Sequence, residues 1–143
     1  AGITTFLEEC VVQAKQLGYV ETMLKRRRPI PEIESTNPSR RAFAERTAIN
    51  SVVQGSAADL VKLAMVEIHE TLKAASAGTD RVLAPLAPCK MLLQIHDELV
   101  FEAPAGIAEQ VQEMIVAKME GAMTLTVPLK VDASISANWF EGK

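Results

Sequence analysis

Two apolar runs, Met91-Leu92-Leu93-Gln94-Ile95 and Leu99-Val100-Phe101, flank the polar triplet His96-Asp97-Glu98, and this arrangement leaves the backbone little choice. Each run has the length of a strand and is too short for a helix. The polar gap is wide enough for a tight antiparallel turn and too narrow for a crossover. A β-hairpin with an acidic tip is therefore expected here. Because a lone hairpin is marginal in water, the rest of the chain must cover its apolar face.

The periodicity on either side is mostly helical. Ile3, Phe6, Leu7, Cys10, Val11, Ala14 and Leu17 recur at three- and four-residue spacing ahead of Gly18, which predicts an amphipathic helix over 3–17 ended by a left-handed glycine. Tyr19 to Met23 reads as a short strand, and the basic, proline-interrupted run Lys25 to Pro31 as a hairpin or loop. A helix is expected over 39–54, closed by Gly55. A new one then opens with Ser56 as N-cap and Asp59 three residues on, burying Leu60, Ala64, Ile68 and Leu72. Residues 74–89, rich in Ala, Gly and Pro, read as a surface connection. Pro104 suits the first turn of a further helix with Ile107, Val111, Met114, Ile115 and Met119 on one face. Leu129, Val131, Ala133 and Ile135 alternate with polar residues, as in a half-buried strand. The expected fold class is α+β: a small antiparallel sheet, its hairpin bearing the acidic site, covered on one face by amphipathic helices.

With 143 residues, 48% hydrophobic and 23% charged, the chain can bury a core and is not a disordered tail. No apolar run has the length of a membrane span. Cys10 and Cys89 match neither a disulfide framework nor zinc spacing, so a reducing compartment, the cytoplasm, is expected. The chain opens Ala1-Gly2-Ile3-Thr4, without Met or a signal-peptide pattern, and is read as a piece of something longer. A net charge of −3 argues at first against nucleic acid. The distribution reverses that inference: residues 25–46 carry seven basic and three acidic side chains, a local +4 against −7 elsewhere.

Three constellations can carry chemistry. Asp97 and Glu98 place carboxylates at a rigid hairpin tip, where hard oxygen ligands suit Mg²⁺ in a two-metal site. Neighbours on a strand point to opposite faces, so the two are not equivalent ligands and a second carboxylate must come from elsewhere. A plain solvated turn is the competing reading. Arg46, Asn50 and Gln54 fall four and four apart along one helix face. Their donors match the near-degenerate acceptors of a duplex minor groove, and a solvated helix face is the alternative. Lys25 to Arg28, with Arg40, Arg41 and Arg46, form a candidate phosphate-contacting patch, with a merely solvated charge run as the alternative. Four Phe, one Tyr and one Trp supply few stacking platforms, which favours duplex over single-strand contact. His69 has no ligand partner at metal spacing, and no phosphate-cradling glycine loop, nucleophile elbow or zinc signature is present.

Gly18-Tyr19-Val20-Glu21-Thr22 before Arg26-Arg27-Arg28, Ala44 to Asn50, Val53 to Asp59, and Gln94-Ile95-His96-Asp97-Glu98-Leu99-Val100 together resemble the C-terminal part of family A, polymerase I-like DNA polymerases. The resemblance covers nearly the whole chain. It implies a polymerase palm with an adjoining fingers segment, and template-directed addition of deoxynucleotides to a primer 3′-hydroxyl in replication or repair by a bacterial-type, nucleoid-associated enzyme. It further implies that Asp97 is the motif C ligand of two Mg²⁺ ions, with Glu98 in support, and that His96 contacts the primer near its 3′ end. Arg46, Asn50 and Gln54 would touch the primer–template duplex, and Arg26, Arg27 and Arg28 would lie near its backbone. The implied partners are primer–template DNA, a deoxynucleoside triphosphate and the remainder of the polymerase chain, with no membrane. The second metal aspartate of motif A and the Lys-bearing fingers helix are not found here and are expected before Ala1, so this segment is expected to be inactive alone. Two departures stand out: Lys25 occupies a position where the family has Gly, and the 74–89 connection is longer than the family norm. A non-catalytic duplex-binding module of polymerase-like fold and a plain α+β interaction domain are the alternatives.

Overall fold

The computed structural model describes residues 2–78 and 80–142. Its elements run α1 (Gly2–Leu17), β1 (Tyr19–Glu21), β2 (Arg27–Pro29), α2 (Pro38–Ser76), β3 (Lys90–Ile95), β4 (Glu98–Glu102) and α3 (Ala108–Glu120), with short 3₁₀ turns at Ala84–Leu86 and Ala105–Ile107. The α+β class holds, but the sheet is two separate antiparallel pairs, β1–β2 and β3–β4. The chain divides into two compact units, one up to Asp59 and one from Leu60, with the division inside α2. Among the described residues no helix is long and apolar enough to cross a membrane.

In the first unit, α1 ends as its sequence predicts: Gly18 has φ 74° and its N–H donates to the Ala14 carbonyl at 2.9 Å. Only Cys10 and Ala14 of the helix are buried, so most of its apolar stripe faces outward. Val20 from β1, Ile30 and Ile33 after β2, and Ala44 and Ala48 from α2 close a small core around Ala14. The start of α2 is set locally. The Asn37 side chain accepts from the N–H groups of Ser39 and Arg40, at 3.0 and 3.4 Å, and Pro38 takes the first helical position, where its missing N–H costs nothing.

In the second unit, Ile68, Leu72 and Ala75 of α2, Leu86, Cys89, and Val111 and Ile115 of α3 form the core. Met91, Leu99 and Phe101 pack the β3–β4 hairpin against it, so one face of the hairpin is covered. Full burial of Ile68 alone contributes about 2 kcal/mol.

Four local expectations are corrected. The helices expected over 39–54 and from Ser56 are one continuous helix of 39 residues, because Gly55 and Ser56 serve tertiary contacts described below. The 74–89 segment, apart from Thr79, which lies outside the described residues, is not simply a surface connection: α2 runs on to Ser76, and Leu86 and Cys89 are buried. Pro104 caps the 3₁₀ turn ahead of α3 and does not lie in the first turn of that helix. Residues 129–135 form no strand. Leu129 and Val131 are half-buried and Lys130 and Asp132 exposed, as alternation requires, but with no strand beside it among the described residues the backbone has no ladder. The Val131 N–H donates instead to the Glu120 carboxylate at 3.2 Å.

Candidate functional site

The β1–β2 hairpin pairs Tyr19 with Pro29, Val20 with Arg28 and Glu21 with Arg27, which places the arginine run on its second strand. Its loop is Met23-Leu24-Lys25, closed by Thr22 N–H to the Arg26 carbonyl at 3.0 Å and Lys25 N–H to the Thr22 carbonyl at 2.9 Å. Lys25 has φ 64°, a left-handed position that suits the Gly expected there from the resemblance, and Lys occupies it under strain of about 1 kcal/mol.

Between this hairpin and α2 lies a groove of about 430 Å³, lined on one side by Thr22, Arg26, Arg27 and Arg28 and on the other by Phe43, Thr47, Asn50, Ser51, Gln54 and Gly55. Asn50 and Gln54 therefore meet the basic run. Arg46 does not line the groove, although it is exposed; the lining face of α2 runs through Phe43, Thr47, Asn50 and Gln54. The sequence missed Phe43 and Thr47. Their signal was helical spacing from Asn50 and Gln54, the same criterion that selected Arg46.

The three arginines differ. Arg26 Nε and Nη2 each lie 3.0 Å from Asp59 Oδ1, and Nη2 also donates to the Gly55 carbonyl at 3.1 Å. Arg27 donates from Nε to Glu21 Oε1 at 3.0 Å and lies 4.6 Å over the Tyr19 ring, a cation–π contact. That hydrogen bond, helped by the charges of Lys25 and Arg27, holds the Glu21 carboxyl below its ordinary value of 4.5. Among the described residues Arg28 carries no ion pair, and its exposed guanidinium has its donors available.

The acidic tip belongs to the second unit. Its turn is two residues, His96 and Asp97, because Ile95 pairs directly with Glu98 and Glu98 opens β4. His96 has φ 54°, and its carbonyl accepts from Gln94 Nε2 at 2.9 Å. Positive φ at the first of two loop residues is normally left to Gly. A histidine held there is the kind of strain that collects at functional sites. His96, Asp97 and Glu98 are all exposed. Among the described residues no three His, Cys, Asp or Glu side chains are grouped as metal ligands. The tip thus fits a hard divalent cation in kind, by its exposed carboxylates, and supplies part of a donor set. Cys10 and Cys89 are buried and burial pushes both thiols up, which disfavours the reactive thiolate.

Comparison with known proteins gives a consistent answer. The sequence profile of DNA polymerase family A matches residues 1–141. DNA polymerase I of Streptococcus pneumoniae is 44% identical over 142 residues, which are 99% of this chain and 15% of that protein. The Bacillus subtilis DNA polymerase I is 43% identical over the same share of each. Among solved structures, the POL domain of Pol1 from M. smegmatis, in complex with DNA primer-template and dNTP, superposes with a TM-score of 0.77 at 38% identity, covering 90% of this chain and 21% of that one. The chain spans about 15% of the length of the relatives it matches, and over that span motif order, sequence and fold agree: it belongs to DNA polymerase family A.

Proposed function

We propose that this chain is the C-terminal palm and adjoining fingers segment of a DNA-directed DNA polymerase, holding the primer–template duplex and presenting one of the metal-binding carboxylates. The observation that carries the reading is the groove, in which amide donors of Asn50 and Gln54 face Arg27 and Arg28. Amides suit minor-groove acceptors that scarcely distinguish one base pair from its reverse, and guanidinium groups suit the flanking phosphates. Such a surface senses a duplex without reading its sequence. The solved relative that holds primer-template and dNTP supports it.

At the hairpin tip, Asp97 is the residue proposed to hold Mg²⁺, with Glu98 beside it and the remaining donors supplied from outside this chain. A divalent metal held there by Asp97 and those donors would stabilise phosphoryl oxygens and lower the pKa of the attacking hydroxyl. His96, fixed by its turn, orients the primer end, and Arg46 on α2 reaches the duplex outside the groove.

Replacing the corresponding segment of the B. subtilis relative with this chain gives a testable polymerase. Asp97→Ala in that chimera lowers primer extension by about a thousandfold or more, since metal ligation is worth several kcal/mol in the transition state, and leaves duplex affinity nearly unchanged. Loss of duplex affinity instead makes Asp97 structural. A chimera that binds duplex yet never extends it favours a non-catalytic binding module, and extension by the 143-residue chain alone overturns the view that it is an incomplete enzyme.

A further inference from the structure

The loop of the first hairpin is fastened to α2 by contacts that involve Arg26, a residue the resemblance would place near the duplex backbone. Asp59 is 5% exposed and takes two guanidinium nitrogens of Arg26 on one oxygen, while its other oxygen is buried without a hydrogen-bond partner. One turn earlier the Gly55 carbonyl accepts from the same arginine. Ser56 Oγ accepts the Met23 N–H at 2.9 Å, while within the loop itself Thr22 Oγ1 accepts the Arg26 N–H at 3.2 Å. A Cβ on Gly55 would lie 2.7 Å from Thr22 Cγ2, so only glycine lets the loop approach this closely. These contacts join the two walls that carry Arg27 and Arg28 on one side and Asn50 and Gln54 on the other.

We propose that Gly55 and Asp59 are positioning residues for duplex recognition: they lock the β1–β2 loop onto α2 at the spacing a duplex requires, and they take Arg26 out of the set of phosphate contacts. The DNA-facing charge of the groove is then carried by Arg28 and Arg27. The proposal rests on the duplex-binding reading of the groove.

The test is duplex binding by the 143-residue chain, followed by fluorescence anisotropy across a salt series, with helix content checked by circular dichroism. Removing a negative charge would by electrostatics alone tighten DNA binding. Asp59→Asn is instead expected to weaken it roughly tenfold at every salt concentration, with the slope of log K against log salt unchanged. Arg28→Ala, a phosphate contact, lowers that slope by about 1. Gly55→Ala, which favours the helix and touches no charge, is expected to reproduce the Asp59→Asn effect. Adding Thr22→Ser removes the clashing methyl, keeps the hydroxyl and restores affinity. A slope lowered by Arg26→Ala, tighter binding by Asp59→Asn, or wild-type affinity in Gly55→Ala overturns the positioning role while leaving duplex binding intact. Absence of salt-dependent binding by the wild-type chain overturns the duplex reading and this one with it.

Discussion

The two β-hairpins each turn on a non-glycine residue in the left-handed region, Lys25 at φ 64° and His96 at φ 54°, yet their surroundings differ sharply. The first hairpin is anchored: its loop bonds to Ser56, and Arg26 is gripped by a buried carboxylate. At the second, the tip residues are exposed, and beyond the β3–β4 ladder the side-chain bond described at the turn is that of Gln94. The contrast suits the proposed function, in which a groove holding a duplex needs fastening and a carboxylate meeting a cation needs open coordination sites. The difference also separates two aspartates. Asp59 is bonded within the fold, and Asp97 is exposed at its turn.

Substituting the two aspartates alike tests this contrast most strongly. Asp59→Asn strips the charge that Arg26 is bonded to and is expected to destabilise the chain by about 2 kcal/mol, less than a fully buried pair because Arg26 is half exposed. Asp97→Asn should change stability by no more than about 0.5 kcal/mol, as for exposed residues generally. Urea unfolding of the two variants reads both; equal costs would erase the distinction.

Glycine at the two turns should give a smaller, opposite effect. Lys25→Gly relieves the left-handed strain and is expected to stabilise by about 0.5–1 kcal/mol, diminished slightly by loss of the exposed ion pair with Glu21, and to leave duplex affinity unchanged. His96→Gly should stabilise by about the same amount but reduce extension in the chimera, because the side chain rather than the backbone is what the tip presents. If His96→Gly leaves extension intact, the strain at that turn has no functional meaning.

The smallest effect is one of pH. The Glu21 carboxyl sits below its ordinary value of 4.5 because Arg27 bonds to it, so its contribution is complete above that value. It fades as pH falls through the lower folded value. The first hairpin is therefore expected to loosen in acid, seen as a change in the environment of Tyr19, which Arg27 covers. A Tyr19 signal flat through that range would show that the Arg27 bond does not hold the hairpin.

The family motifs, the acidic hairpin, the glycine end of α1 and the placing of Asn50 and Gln54 on one helix face were all legible in the linear sequence. Each depends on neighbours a few residues apart, where spacing and turn chemistry suffice. Arg26 was not legible in this way. Its partner Asp59 is 33 residues distant, and nothing local distinguishes an arginine bound to protein from one awaiting phosphate. Gly55, Ser56 and Asp59 read as the end of one helix and the cap of the next, because close approach of a second segment and helix termination call for the same small and polar residues. Likewise the alternation of Leu129 to Ile135 describes a strand only when another strand lies beside it. Local sequence thus determined which family this chain belongs to and which residue types would face the proposed duplex. Which of those residues are free to touch it was decided by tertiary contacts, since a charge bonded within the fold is no longer available to a ligand.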